Sequence, residues 1–315
     1  MGGALEVGAA VIHDADGQVL IAQRSAHRPH PGRWEFPGGK LEAGETPAAG
    51  LARELAEELG IEVLASSPLL VITHRYPERT VRLHARRIDA WRGQPQAREG
   101  QALAWVAPAA LPGWPVLEAD RPLVDLLRLP PFLAITPDPG PDHAAFLAAL
   151  ERTLAGGVRF LQLRAPALAP SRYAALAAEV LARCRAAGAS LLLNASPGLV
   201  DELGADGVHL NGTRLRAGGG RPLGPDRWVS ASVHDAGELA LAKALGVDLV
   251  LVGPVRATAS HPAATALGFA GLAALAAGAG LPSYALGGLA RGDLARARAA
   301  GAYGVAAVHG LWSQA

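Results

Sequence analysis

The chain has 315 residues, of which half are hydrophobic and 18% are charged, and its formal net charge is +1. This length is sufficient for two domains, and the composition is typical of folded globular proteins. A near-neutral chain has no strong long-range field, so we expect neither direct DNA binding nor electrostatic attachment to a membrane. The composition does not determine the oligomeric state.

Cys184 is the only cysteine, which excludes an internal disulfide and is typical of a reducing compartment. The N-terminus lacks the basic segment of a signal peptide, and charges, Gly or Pro interrupt every long apolar stretch. We therefore expect a cytoplasmic protein without a transmembrane helix.

The N-terminal part predicts strands around one strongly patterned helix. Residues 7–14 and 18–24 are predicted to form a hairpin, because Asp16-Gly17 is a favourable two-residue turn. Thr46 is a typical N-cap, Pro47 is typical of the first helical position, and Gly60 is typical of a helix end. The remaining predicted elements are strands over 68–76, 80–91 and 102–106 and a helix over 118–129.

After Pro130-Pro131, short apolar strands alternate with Ala-rich helical segments, a pattern that indicates a parallel sheet buried on both faces. Eight strands favour a small (β/α)8 TIM barrel, although a doubly wound open sheet has the same periodicity. The predicted fold class is α/β, with domains 1–129 and 131–315. The predicted strands are 132–136, 159–164, 190–194, 207–210, 228–233, 249–255, 283–288 and 304–310.

The helix after Thr46 carries clustered carboxylates. Glu54, Glu57 and Glu58 fall on one arc of the helix, where they repel one another with no lysine interspersed. A hard divalent cation, which prefers oxygen ligands, neutralises such a cluster. We therefore predict a Mg²⁺ site, with Mn²⁺ as the alternative ion. Arg53 lies one turn before Glu57 and can orient a carboxylate.

Residues 39–61 resemble the Nudix hydrolase family without a departure. The shared pattern is Gly, five residues, Glu, seven residues, then Arg-Glu-aliphatic-any-Glu-Glu-any-Gly-aliphatic. The resemblance implies an N-terminal α/β/α sandwich in which Glu45 and Arg53 support the helix and its loop. It implies metal ligands as follows: the Gly39 carbonyl, Glu54, Glu57, Glu58 and, from a later loop, Glu99, which is also the candidate general base.

The likeness to the MutT branch of this family extends over residues 4–129, through the segments Ile21–Arg24, Trp34–Lys40, Tyr76–Arg79 and Ala119–Pro122. It implies hydrolysis of 8-oxo-dGTP to the monophosphate and pyrophosphate, although the family also acts on many other diphosphates. Asp120 occupies the position of an asparagine that reads 8-oxoguanine in that branch, and an aspartate lacks the amide donor unless it is protonated. The expected substrate-binding residues are Arg24, Phe36, Gly38, Lys40 and Asp120.

The C-terminal part resembles thiamine-phosphate synthases and the related thiazole tautomerases over about 131–311. The likeness includes Phe160–Arg164, Asn194, Gly204–Leu210, Val252–Val255 and Ala285–Leu289. It implies a phosphorylated thiazole or pyrimidine ligand. The residues expected to bind it are Gln162, Arg164, Asn194 and, at the phosphate end, Gly287, Gly288 and His309, with His234 as the tautomerase acid/base.

The synthase pattern is incomplete in this sequence. Its metal-binding aspartate after the strand-three asparagine is Ala195, and the segment Asn211–Arg214 lacks the second aspartate. Its strand-two lysine is Pro166, and Ser260-His261-Pro262 replaces its Thr-Lys-Pro. A pyrophosphate leaving group is then poorly stabilised, so synthase activity is not expected.

Three interpretations of the barrel stay open. It is a tautomerase, a non-catalytic sensor of a phosphorylated ligand that regulates the Nudix half, or one half of a thiamine-metabolism protein. In the third case the Nudix half hydrolyses a thiamine or pyrimidine pyrophosphate.

Overall fold

The computed structural model describes residues 4–258 and 265–312, and Ser260-His261-Pro262 lies outside them. The chain forms two compact units that divide between Arg128 and Leu129. None of the helices in the described ranges is long and apolar enough to cross a membrane.

The first unit is a mixed α/β domain with two three-stranded sheets. Strand β1 is parallel to β5 and β4 is antiparallel to it, while the second sheet is antiparallel with order β3-β2-β6. The elements in chain order are β1 (Leu5–Val11), β2 (Val19–Gln23), β3 (Trp34–Glu35), α1 (Pro47–Glu58), β4 (Glu62–Arg75), β5 (Thr80–Arg92), β6 (Leu103–Val106) and α2 (Arg121–Arg128).

The predicted hairpin of β1 and β2 forms only near its turn, where His13 pairs with Val19 and the Leu20 N–H donates to the Ile12 carbonyl at 3.0 Å. The Asp14 N–H donates to the Gln18 carbonyl at 3.0 Å, but the two strands then enter different sheets. The reason is that both edges of β1 are taken. One edge pairs with β5, and on the other the Gly8 and Ala10 N–H groups donate to the carbonyls of Gly39 and Pro37, each at 2.8 Å.

The predicted helix over 118–129 is interrupted near its start. Glu118–Asp120 forms a 3-10 turn, and α2 begins only at Arg121. Pro122 explains the break, because its ring nitrogen has no hydrogen to donate to the Glu118 carbonyl and is tolerated only in the first turn of a helix.

Helix α1 confirms the predicted boundaries. The Thr46 Oγ1 accepts from the Ala49 N–H at 3.2 Å, Pro47 is the first residue, and Gly60 follows with a φ of +70°. The helix is held by a buried apolar face that consists of Leu51, Leu55 and Leu59, packed with Ala10, Ile12, Leu20, Ile61 and Ile88. Because this face is fixed in the core, Glu54, Glu57 and Glu58 lie on the remaining sides of the helix, where Glu57 is exposed and Glu58 is buried.

The second unit confirms the predicted barrel over the open sheet. Eight parallel strands close in the order β10-β11-β12-β13-β14-β7-β8-β9. Each observed strand falls within its predicted range, and some end up to three residues earlier. The strands are β7 (Phe132–Ile135), β8 (Phe160–Leu163), β9 (Ser190–Leu193), β10 (Gly207–Leu210), β11 (Trp228–Val233), β12 (Leu249–Val252), β13 (Ser283–Leu286) and β14 (Gly304–Ala307).

Helices follow most of these strands and cover the barrel, as a (β/α)8 arrangement requires. The described helices are α3 (His143–Ala155), α4 (Pro170–Ala186), α5 (Pro197–Leu203), α6 (Gly212–Ala217), α7 (Ala236–Ala244), α8 (Gly268–Ala279) and α9 (Leu294–Ala299). Cys184 on α4 is buried, and burial raises the pKa of its thiol to about 12. It is therefore an apolar packing residue, as in most buried cysteines.

Alternate residues of each barrel strand point inward. The inward residues form a cluster inside the barrel, which includes Leu133, Ile135, Phe160, Leu192, Leu249, Leu251 and Tyr284. Leu161, Leu193 and Val208 lie in the outer cluster, between strands and helices. The same alternation turns Gln162, Arg164, Asn194 and His209 toward the barrel axis. The polar inward positions thus come from β8 to β11, while the opposite half of the wall is apolar.

Candidate functional site

The first unit contains a cavity of about 540 Å³. Of the residues predicted to bind substrate or metal, it is lined by Arg24, Phe36, Gly38, Gly39, Lys40, Glu54 and Asp120. Glu57, Glu58 and Glu99 are not part of its wall. The structure therefore brings one carboxylate of α1 to the edge of a cavity that is large enough for a nucleotide.

Asp120 is a buried carboxyl in the wall of this cavity. Its exposed fraction is 3%, and its Oδ2 accepts from the Phe36 N–H at 3.3 Å. Burial, and next the nearby charge of Glu35, raises the pKa of Asp120 to about 8. At neutral pH this side chain is therefore mostly protonated, which gives it one donor and one acceptor.

Arg24 reaches the same wall but is held by the protein itself. Its Nη1 forms an ion pair with Glu35, and its Nε donates to the Pro29 carbonyl at 2.6 Å. Burial raises the pKa of Glu35, and Arg24 opposes that shift. The motif comparison did not identify Glu35 as a site residue, although Trp34–Lys40 is among the matching segments.

Arg53 connects the carboxylates of α1 to the preceding loop. It donates to Glu45 at 2.9 and 3.0 Å, to Glu54 at 3.0 Å, to Glu57 at 3.3 Å and to the Lys40 carbonyl at 3.1 Å. The hydrogen bonds from Arg53 to Glu45, and next the one from the Glu42 N–H, lower the pKa of Glu45 to about 2. These contacts favour the role expected for Arg53 and Glu45, which is to support the helix and its loop.

Glu58 and Glu99 meet at Arg28, a residue that the motifs gave no reason to select. The Arg28 Nη2 donates to the Glu58 Oε1 at 3.0 Å and to the Glu99 Oε2 at 2.7 Å. Burial raises the pKa of Glu58 to about 7, and Arg28 opposes that shift. These residues line a second, small cavity together with Arg24 and Glu35. Arg28 lies in the loop between β2 and β3, where no periodicity marks a contact residue.

The oxygen atoms around α1 are chemically suited to a divalent cation. The Glu54 carboxylate lies so close to Gly39 that a Cβ there would overlap it, and the Gly39 carbonyl, already bonded to the Gly8 N–H, keeps a second lone pair. In the described residues no three His, Cys, Asp or Glu side chains are gathered into a metal-holding group. Arg28 and Arg53 supply the positive charge instead, so a cation would compete with these arginines for Glu54, Glu58 and Glu99.

Glu57 differs from its neighbours on α1. Its side chain is 61% exposed, against 16% for Glu54 and 8% for Glu58. Such an exposed carboxylate is free to move toward an incoming ion at little cost, because few contacts fix its rotamer.

We expect Gly38→Ala to destabilise the first unit by about 1–3 kcal/mol. Gly38 has a φ of +144°, and an added Cβ would overlap the Gly8 carbonyl, so the loop beside β1 would have to move. Chemical denaturation of the two proteins measures the difference. Gly44→Ala is the matched control, since Gly44 also has a positive φ (+86°) but nothing within 4 Å of an added Cβ. An equal loss in both variants would contradict the overlap argument.

The barrel mouth holds the polar residues of β8 to β11 and the loops that follow them. Gln162 is buried, and Asn194 accepts from the Arg214 Nη1 at 2.7 Å. His209, which the sequence marks only as part of the matching segment Gly204–Leu210, lies between Ser230 and Ser232 at 2.9 Å from each hydroxyl. Burial, followed by the charges of Arg214 and Arg164, lowers the pKa of His209 to about 3.

The other predicted barrel residues lie at the carboxyl ends of their strands. His234 is half-exposed and its Nδ1 lies 2.7 Å from Glu238, which also bonds Arg216. Gly287 and Gly288 follow β13 with φ values of +101° and +65°, and exposed His309 follows β14. The two loops touch, because a Cβ on Gly310 would overlap the Leu289 carbonyl.

Comparison with known proteins covers both units. The NUDIX domain model matches residues 4–127, and the thiamine monophosphate synthase model matches residues 132–311. The CTP pyrophosphohydrolase of Escherichia coli is 40% identical over 121 residues, which are 38% of this chain and 89% of that protein. The 8-oxo-dGTP diphosphatase of the same organism is 31% identical over 124 residues, 39% of this chain and 96% of that protein.

The second unit has relatives of its own. The thiamine-phosphate synthase of Chromobacterium violaceum is 39% identical over 187 residues, which are 59% of this chain and 89% of that protein. Together, the glutamate helix beside a cavity and the closed barrel define a two-part protein with a hydrolase of phosphorus-containing anhydrides at its N-terminus. The chain belongs to the Nudix family through residues 4–127 and to the thiamine monophosphate synthase family through residues 132–311.

Proposed function

We propose that the first unit hydrolyses a nucleoside triphosphate to the monophosphate and pyrophosphate in a Mg²⁺-dependent reaction, with Mn²⁺ as the alternative ion. The observation that carries this proposal is one cavity with the buried Asp120 carboxyl and the Glu54 carboxylate both in its wall. The first group offers hydrogen bonds to a base, and the second marks the side where a diphosphate would meet the carboxylate helix. We propose domains over residues 1–129 and 131–315, and this hydrolysis belongs to the first of them.

The reaction needs a water activated near the diphosphate. A bound divalent cation would polarise the phosphoryl oxygens and favour ionisation of that water. Glu54, Glu57, Glu58 and the Gly39 carbonyl would hold the ion. Glu99 would accept the proton as the water oxygen bonds to one phosphorus of the α–β bridge and the bridging P–O bond breaks, which releases the monophosphate and pyrophosphate. Arg53 keeps the carboxylates in position, and Lys40 at the cavity wall offers a positive charge to the phosphates.

The preferred base follows from the hydrogen bonds that Asp120 can make. A protonated carboxyl can donate to the O6 of a guanine base and accept from its N1–H, an edge that guanine and 8-oxoguanine share. The 8-oxo-dGTP diphosphatase relative makes 8-oxo-dGTP the leading substrate. The same groups can also donate to the N3 of cytosine and accept from its amino group. The CTP pyrophosphohydrolase relative therefore makes a cytosine nucleotide the second candidate.

The first test compares the hydrolysis of 8-oxo-dGTP, dGTP, CTP and thiamine- or pyrimidine-linked pyrophosphates by purified protein. We expect 8-oxo-dGTP to have the highest kcat/KM. Preference for CTP would identify the second candidate, and fast cleavage of a thiamine-related substrate would instead favour a role for both units in thiamine metabolism.

Asp120→Asn tests the base contact itself. An amide keeps a donor and an acceptor at every pH, whereas Asp120 loses its donor as it ionises near pH 8. We therefore expect kcat/KM of the wild type for 8-oxo-dGTP to fall by about tenfold per unit above pH 8 relative to the variant. Parallel pH profiles of the two proteins would show that Asp120 does not donate to the base. Glu118→Gln, on the same turn but exposed, is the control.

We further propose that the barrel binds a phosphorylated ligand, such as a thiazole or pyrimidine phosphate, and lacks thiamine-phosphate synthase activity. Ala195 and Arg214 stand in the two segments where the resemblance expects metal-binding aspartates, so the residues present do not fit that ion. An assay of thiamine phosphate formation with Mg²⁺ tests this. Product formation at the rate of a thiamine-phosphate synthase would overturn the proposal.

A further inference from the structure

Two arginines at the barrel mouth, Arg164 and Arg214, have no carboxylate partner in the part of the chain that the structure describes. Arg164 follows β8 and points inward with Gln162, and Arg214 reaches from α6 to Asn194 at 2.7 Å. Neither guanidinium forms an ion pair with any carboxylate within 4–258 and 265–312. The inward positions of the eight strands also carry no Asp or Glu in these ranges.

The two arginines face the same region. Both lower the pKa of His209, which lies on β10, the strand that leads into α6 and Arg214, so their charges act on one point inside the mouth. His209 itself stays neutral between its two serines and adds no charge. Two cations with no counterion, in a partly buried position, are costly unless an anion joins them.

Gln162 provides a second, independent sign of a missing ligand. Gln162 is 2% exposed, yet its Oε1 has no hydrogen-bond partner among the described residues. Buried amide groups in folded proteins are nearly always bonded, and the two ends of a glutamine side chain can exchange places. A ligand in the mouth can satisfy this group, with either the amide oxygen accepting or the amide N–H donating.

We infer that the barrel mouth is a metal-independent site for a phosphate or diphosphate ester, in which the Arg214 guanidinium supplies the positive charge that a divalent ion would otherwise provide. Arg164 and Arg214 contact the anionic oxygens, since guanidinium groups bind phosphate through paired N–H donors. Asn194 and Gln162 donate amide N–H groups to the same oxygens or to the ring of the ester. This inference rests on the proposed ligand-binding role of the barrel.

The test is calorimetric titration of the full chain with inorganic pyrophosphate in EDTA. The wild type is expected to bind, and Arg214→Gln is expected to weaken binding at least tenfold. Arg172→Gln, an exposed arginine of α4, is the matched control and should bind as the wild type does. Amide hydrogen exchange should show protection at Gln162–Arg164 and 211–216. No binding in EDTA, or equal binding by Arg214→Gln, would overturn the inference.

A second variant reverses the charge. Ala195→Asp combined with Arg214→Asp is expected to abolish binding in EDTA and to restore it only when Mg²⁺ is added, with protection at the same barrel segments. Binding by this variant in EDTA would also overturn the inference. Thiamine phosphate synthesis with intact EDTA-resistant binding would refute the proposed lack of synthase activity and leave the Arg214 site standing.

Discussion

Replacing Glu57 with Gln is expected to lower kcat for nucleotide hydrolysis by at least about 1000-fold, because several kcal/mol of transition-state stabilisation pass through the metal that this carboxylate would hold. The substitution removes one charge and keeps the volume. Glu57 is exposed and, within residues 4–258 and 265–312, its side chain bonds only Arg53, at 3.3 Å, so the fold should persist. Steady-state rates over a range of Mg²⁺ concentrations measure the effect.

A second readout separates metal binding from general damage. Titration with Mn²⁺ monitored by electron paramagnetic resonance should show weaker binding in Glu57→Gln. Glu62→Gln is the control, since Glu62 is also exposed and its ion pair with Arg92 is outside the cavity. If Glu57→Gln retained wild-type rates and Mn²⁺ affinity, Glu57 would not be a ligand, and Glu54 and Glu58 would have to hold the ion with Glu99.

Acidification from pH 6.5 to 3 is expected to destabilise the barrel by roughly 4 kcal/mol through His209 alone. Burial lowers its pKa from 6.5 to about 3 in the folded protein, so the unfolded chain binds the proton first. The contribution of neutral His209 to the free energy of unfolding is therefore fully present above pH 6.5, and it is lost progressively as the pH falls toward the folded-state pKa.

The hydrogen bonds of His209 explain this preference for the neutral ring. Ser230 donates to the Val208 carbonyl at 3.4 Å, so it accepts from the Nδ1–H, and the Nε2 accepts from Ser232. A second proton on the ring would remove the acceptor for Ser232 and place a charge beside two arginines.

Amide hydrogen exchange of β10 and β11 at pH values between 4 and 7 measures this dependence within the barrel. His209→Asn, which cannot titrate, should be less stable near neutral pH but should lose less stability on acidification. Identical pH dependence in the two proteins would show that other groups control the acid limb.

Local patterns in the sequence predicted most of the fold. The alternation of short apolar segments with helical segments predicted all eight barrel strands, and Thr46, Pro47 and Gly60 predicted the bounds of α1. These signals depend on neighbours along the chain. The partner of β1 was not predictable in this way. Its pairing with β5 depends on residues more than 60 positions away, which no turn signal at Asp16-Gly17 records.

Only part of the candidate site could be predicted from the sequence. The spacing from Gly39 to Ile61 indicated the carboxylates, and the structure places Gly39 and Glu54 at the cavity. Arg28 and Glu35 were missed, because their contacts with Glu58 and Arg24 join segments with no shared periodicity. Similarly, the sequence shows that the segment before Leu215 lacks the aspartate of the synthase pattern. Only the folded barrel shows that the Arg214 guanidinium donates to the Asn194 side chain.

The scarcity of lysine gives this chain a practical property. Lys40 and Lys243 are its only lysines, and both are exposed. Lys40 lies at the nucleotide-sized cavity, whereas Lys243 lies on α7, where it donates to the Gly278 carbonyl at 3.0 Å. Amine-selective labelling followed by peptide mass spectrometry thus has one side chain that a bound substrate would shield and one internal reference on the barrel surface. Occupancy of the cavity can be followed without any engineered probe.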